Sequence, residues 1–146
     1  MEVDRIRESE HEAADALVSE SGLPVDDLDK CRQSQFVIRD GARIVATAAL
    51  EVRDQDAILR SVAVEPGHRG ERLGERIVAH AIGEARAGEL SALYLLTETA
   101  AGVSPRFGFV IEPRESPPPA IQASAEYCHV CGSGAIAMAL HLVSGE

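Results

Sequence analysis

The sequence predicts a mixed α/β fold: a mainly antiparallel sheet with one parallel βαβ unit and flanking helices. Three observations carry this reading. An Asp40-Gly41 turn separates two apolar runs, as in an antiparallel hairpin, because glycine supplies the positive backbone angles such turns require. Leu73, Ile77, Val78, Ala81, Ile82 and Ala85 recur at helical spacing, with charges on the other face. The segment 91–97 that follows is apolar on both faces, which marks a central strand parallel to the one preceding that helix.

The elements follow in order. Residues 3–7 alternate apolar and charged side chains and read as a first strand. Ser9 followed by Glu12 spells a capping box, so a helix is predicted over 11–19. Ser21-Gly22 stops it, and Leu23-Pro24 opens a short second helix over 25–30, with Pro24 tolerated in its first turn. Residues 36–39 and 43–52 form the hairpin, 53–56 a polar turn, and 57–65 a further strand ended by Pro66-Gly67. The long helix covers 73–86 and stops at Gly88. Beyond the central strand the reading is a short helix over 99–107, a strand over 108–112, an irregular proline-rich link over 113–119, a helix over 120–130 and a last strand over 135–143.

The 146 residues suit one domain spanning 1–146, and 45% apolar content suffices for a continuous core. No stretch approaches the roughly 20 apolar residues of a membrane span, and the N-terminus opens on charged residues, so a cytoplasmic protein is expected. A net charge of -10 argues against nucleic acid and membrane partners. The single lysine, Lys30, stands against 13 arginines and 24 acidic residues, a balance similar to that of halophilic proteins. Three cysteines, Cys31, Cys128 and Cys131, are expected to be reduced thiols. The sequence leaves open whether the chain works alone or as a homodimer.

The stretch SVAVEPGHRGERLG from Ser61 to Gly74 carries the chemistry: a strand, a basic glycine-bearing loop and a helix start. Unpaired N–H groups and the positive end of the macrodipole make a helix N-terminus an anion site. His68, Arg69 and Arg72 add charge there, and glycines allow close approach. The alternative is an ordinary turn with solvated arginines.

This stretch resembles the acetyl-CoA loop of the GNAT superfamily, Gln/Arg-x-x-Gly-x-Gly/Ala after a strand of the form Leu-x-x-Val-x-Val. Here the strand reads LRSVAV from Leu59 to Val64, and Arg69 and Gly74 match, while Arg72 occupies the pattern's first glycine. The resemblance implies acetyl-CoA as cosubstrate, with Val62, Ala63 and Val64 against the pantetheine arm. It also implies His68, Arg69, Gly70, Arg72, Leu73 and Gly74 at the pyrophosphate. The stretch 101–109 is similar to the superfamily's second signature, but the position where many members carry a tyrosine acid is Ser104.

A closer resemblance, to acetyltransferases associated with arsenic-resistance operons, runs through GLPVDDL at 22–28, ALE at 49–51, LYLLT at 93–97, Pro119-Ala120-Ile121, Glu126-Tyr127 and Cys131. The implied reaction is N-acetylation of a small primary amine, an amino-acid-like toxin or arsenical among the candidates.

Four further readings concern the acceptor. Glu51, at the end of an apolar strand, is a candidate base acting through water, or a carboxylate paired with Arg53 or Arg60. Arg60 and Ser61 interrupt an apolar strand beside the expected cofactor groove, and Arg60 would pair a substrate carboxylate or Glu51. Thr97 and Thr99 would orient the acceptor or cap a helix. Cys128 and Cys131 are at most half a zinc set, so no metal site is expected; an arsenical bridge and plain packing are the alternatives. Two rival functions stand beside the enzyme: a non-catalytic acyl-CoA sensor and a thiol-based arsenical binder.

Overall fold

The structure, a computed structural model, describes residues 2–68, 71–97, 105–125, 127 and 135–142. Its strands are β1 (Val3–Arg5), β2 (Gln35–Asp40), β3 (Arg43–Arg53), β4 (Asp56–Val64), β5 (Ala92–Thr97), β6 (Val110–Ile111) and β7 (Ile136–His141). They form one seven-stranded sheet in the order β1-β2-β3-β4-β5-β7-β6. Every neighbouring pair is antiparallel except β4 and β5, which the helix α2 (Leu73–Ala87) joins as the expected βαβ unit. The β2–β3 hairpin turns on Gly41, at φ 65, between the paired Asp40 and Arg43, as a two-residue turn with glycine first requires.

Alternation along the strands sends apolar side chains to both faces. Phe36, Leu50, Leu59 and Leu93 pack with Ile77 and Ala81 of α2 on one face. On the other, Val37, Ile44 and Ala49 pack under Val18 of α1 (His11–Glu20) and under Leu28. Further along that second face, Ile58, Tyr94 and Ala139 meet Tyr127 and Ile121, the latter from α3 (Pro119–Gln122). Two apolar clusters therefore share this face, and a polar seam lies between them.

Several boundaries differ from the sequence reading. The start of α1 departs from the Ser9–Glu12 box: Glu10 stands at the N-cap without a side-chain cap bond. Its carboxylate instead closes the preceding 3-10 turn by accepting the Arg7 N–H at 2.9 Å, held there by a 2.8 Å bond from Arg39 of β2. The second helix is a 3-10 segment over Leu28–Ser34, because Asp27 turns left-handed at φ 61 and Leu28 and Cys31 set the register by burial. At the end of α2 the left-handed residue is Glu89 (φ 59), one past Gly88 (φ -83), and the N–H groups of Glu89 and Leu90 close onto Arg86 and Ala85 at 3.0 Å. Among the described residues, 99–107 contributes only a 3-10 turn at Pro105–Phe107, and the strand over 108–112 shortens to β6. Of the helix expected over 120–130, the described residues show the single turn α3 and, past a break at Ala123 and Ser124, helical Ala125 and Tyr127, while 126 and 128–130 lie outside them. At the break Ser124 donates to the Ile121 carbonyl at 2.7 Å and accepts the Tyr127 N–H at 3.2 Å. No helix among the described residues is long and apolar enough to cross a membrane.

Candidate active site

The parallel ladder is short. It runs Asp56↔Ala92, Ala57↔Leu93 and Ile58↔Tyr94, and there it ends, although β4 continues to Val64 and β5 to Thr97. The cause lies on the other edge of β4. Thr47 faces Ala63 but Ala49 faces Arg60, so β4 holds one residue more than β3 across this interval. Alternation identifies it: Leu59, Val62 and Val64 belong to the α2 face, and Ala63 packs on the opposite one, leaving Ser61 as the insertion. Ser61 is buried at φ 59, a conformation costing a non-glycine residue roughly 1–2 kcal/mol. Its Oγ accepts the Arg60 Nε–H at 3.1 Å.

Past Ile58, then, the edge of β4 facing β5 has no ladder partner among the described residues. Backbone donors and acceptors so exposed fit an extended ligand arm laid along them like a strand. The edge runs through Val62, Ala63 and Val64 and leads to the start of α2. There Gly74 lies beside Val64, where a Cβ would make an ordinary van der Waals contact with Val64 Cγ2 at 3.6 Å. No side chain caps this helix, and Leu73, buried, anchors its first turn in the core. The free N–H groups of that turn fit a pyrophosphate. Arg69 and Gly70, expected at the same place, lie outside the described residues.

Arg72, the N-cap, has φ 61 and ψ 25 and is exposed. A left-handed angle is what glycine provides freely, which explains why a pattern of this kind favours glycine here. Arg72→Gly is expected to raise stability by about 1 kcal/mol in thermal melts, with acetyl-CoA binding kept. A large loss of affinity would make the guanidinium a ligand.

His68, also expected at the pyrophosphate, meets acidic neighbours here. Its Nε2 is 3.0 Å from Asp40 Oδ2 on the hairpin, and its Nδ1 is 3.6 Å from Glu65, whose other oxygen accepts Arg43 Nε–H at 2.6 Å. The bond to Asp40 raises the His68 pKa against the opposing effect of desolvation, and Glu71 and Glu65 add to the rise. A raised histidine contributes stability below its ordinary pKa and loses it as pH rises through the folded value. The melting gap between wild type and His68→Gln is therefore expected to be wide at about pH 5.5 and closed by about pH 9.

The polar seam holds Glu51, Arg53 and Arg60. Glu51 lies opposite Ile58, the last closed rung, and is buried at 6% exposure rather than solvated at a strand end. Both of its oxygens are engaged: Oε1 accepts from Arg60 Nη1 at 2.8 Å, Oε2 from Arg53 Nε at 2.7 Å. A base needs an oxygen turned to the acceptor, and here each holds a guanidinium, so the geometry favours the paired reading. Arg60 is just as occupied, with Nε on Ser61, Nη1 on Glu51 and Nη2 on the Pro24 carbonyl at 3.3 Å. Among the described residues, Glu51 is a carboxylate partner of Arg60.

Thr97 ends β5 opposite Ile136, half-buried on the far lip of the gap. Thr99, Ser104, Cys128 and Cys131 lie outside the described residues. Cys31 is buried, donates to the Asp27 carbonyl at 3.6 Å, and has its thiol pushed up to about 11 by burial, which leaves it unreactive. Sequence reasoning marked Ser61 as an interruption of the strand but missed that it is an inserted residue. Its trace was visible: the apolar positions Leu59, Val62 and Val64 are spaced three and then two, a slip in strand period.

The model of the Acetyltransferase (GNAT) family matches residues 3–109, so the chain belongs to that family. It is an acyltransferase with acetyl-CoA as cosubstrate. Among solved structures it is similar to Rv2747 from Mycobacterium tuberculosis, in complex with CoA and NLQ, with TM-score 0.81 and 22% identity over 97% of this chain and 99% of that one. It is also similar to N-acetylglutamate synthase from Neisseria gonorrhoeae, complexed with coenzyme A and N-acetyl-glutamate, with TM-score 0.80 and 17% identity over 97% of this chain. The chain spans only 35% of that synthase. The ribosomal-protein-S18-alanine N-acetyltransferase of Escherichia coli aligns with TM-score 0.73 and 20% identity over 99% of this chain and 96% of that one. At these identities the likeness is one of fold. No curated protein matches the chain by sequence.

Proposed function

We propose that the chain acetylates the primary amine of a small, amino-acid-like acceptor by direct attack in a ternary complex. The observation that carries this reading is the gap beyond the Ile58–Tyr94 rung, with an unpaired strand edge on one side and a helix N-terminus at its mouth. Acetyl-CoA supplies an activated thioester whose thiolate leaves readily, since a thiol of this kind has a pKa of about 8 to 9. The edge over 62–64 holds the arm, and its N–H groups polarise the carbonyl under attack. The start of α2, with Arg69, Gly70 and Arg72, holds the pyrophosphate. Thr97 at the lip, together with Thr99, orients the amine, and the seam below excludes water and fixes the approach.

The acceptor class draws support from the N-acetyl-glutamate complex of the synthase, whose fold this chain shares. Resemblance to the arsenic-resistance acetyltransferases supports including amino-acid-like arsenicals. The test is a screen of amines and amino-acid analogues for acetyl-CoA-dependent CoA release, run at low and high salt because the lysine-poor, acidic composition favours salt. Turnover of at least one amine is expected. Binding of acetyl-CoA with no turnover of any amine would leave the sensor reading instead.

A further inference from the structure

We infer that Arg53 reads a carboxylate on the acceptor, so that the substrate class is an amine that also carries an acid group. The inference rests on the proposed acceptor gap. The arginines of the seam differ in what they have left to offer. Arg60 is fully buried as a side chain, and each of its nitrogens already has a partner. Arg53 is 28% exposed as a side chain. Its Nε is held by Glu51 and its Nη1 by the Ala120 carbonyl of α3 at 3.3 Å. Its Nη2 makes no hydrogen bond in the structure. Two anchored nitrogens fix the plane of a guanidinium, and the third is left with both N–H groups open. That is a pre-oriented half of the fork that carboxylates accept.

Its place suits an acceptor. Arg53 grips the carboxylate of Glu51, which lies level with the last closed rung of β4 and β5. The gap begins one residue further along and one strand over, so an amine inside it stands roughly 3 to 7 Å along the strands and about 5 Å across them from the Arg53 head. An amino acid spans that separation when its carboxylate, a few ångströms from its nitrogen, accepts a hydrogen bond of about 3 Å from the guanidinium. The walls agree: Arg60 ties down the Pro24 loop and Arg53 ties down α3, so the same Glu51 sets both sides of the seam. An uncharged amine would leave the open N–H groups of Arg53 to water and gain nothing from them.

The experiment compares the free L-amino acids with their carboxamides as acceptors for the wild-type protein, and repeats the comparison with Arg53→Gln. The wild type is expected to show a KM for its best amino acid at least roughly tenfold below that of the matching carboxamide. Arg53→Gln should raise the amino acid's KM by roughly 10- to 100-fold and bring it level with the carboxamide. Equal or better use of carboxamides by the wild type would overturn the inference, and so would a preference that survives Arg53→Gln. Acetyl transfer itself would stand in both cases. Failure of the proposed function looks different: no CoA is released with any amine, charged or uncharged. The wild-type comparison needs no variant, so it holds even if Arg53→Gln folds poorly.

Discussion

Deletion of Ser61 is expected to leave the sheet folded and to abolish acetyl-CoA binding. Ser61 is the residue by which β4 exceeds β3 between Arg60 and Ala63. Without it, Val62 falls opposite Ala48 and keeps its place on the α2 face, while Arg60 and Ala63 keep theirs on the other. The apolar pattern is therefore preserved, and a left-handed serine with its roughly 1–2 kcal/mol of strain is removed. What changes is the course of β4, which is then free to continue its parallel ladder toward Val64 and close the gap. Affinity should fall by roughly a hundredfold or more, equivalent to about 2.7 kcal/mol. The check is a calorimetric titration beside a circular dichroism melt. A folded deletion variant that binds acetyl-CoA as well as wild type would mean that the cofactor does not sit along this edge.

Glu51→Gln should give the largest loss of stability. The carboxylate neutralises a guanidinium that is fully buried and holds a second that is mostly buried. Gln keeps the shape but not the charge, and a buried cation left without its partner costs roughly 3 kcal/mol or more. For a chain of this size that lowers the melting temperature by roughly 10 °C. The accompanying rate defect should be independent of pH, because the arginines are displaced rather than a base removed. A defect that shrinks as pH approaches the acceptor's own pKa, with little change in melting, would restore Glu51 as a base acting through water.

Much of the fold was readable because its signals are local. Gly41 turns the hairpin, and the spacing of Leu73, Ile77 and Ala81 gives α2 to within a residue. What escaped depends on residues far apart in the chain. Glu10, at the start of α1, is held by Arg39, 29 positions away, and Arg53 is set by Ala120, 67 positions away. The helix expected at Val25 starts late because Asp27 takes a left-handed angle that its side chain permits but does not dictate. In the site, the motif pointed to the loop before α2 and to Arg72 as its departure from pattern, and that residue's φ of 61 explains why such a pattern favours glycine there. Glu51 and Arg60 were recognised as candidates and as alternative partners of each other; the register running unbroken from the Arg53↔Asp56 turn brings them together, whereas the slip at Ser61 lies beyond them.

Titration of the wild-type protein with acetyl-CoA tests the account most directly. A ligand held by the folded strand edge and helix start, and not by the unfolded chain, must stabilise the protein. The account predicts a saturable heat of binding and a melting temperature that climbs with acetyl-CoA concentration. No heat and no shift at millimolar acetyl-CoA, in both low and high salt, would contradict it.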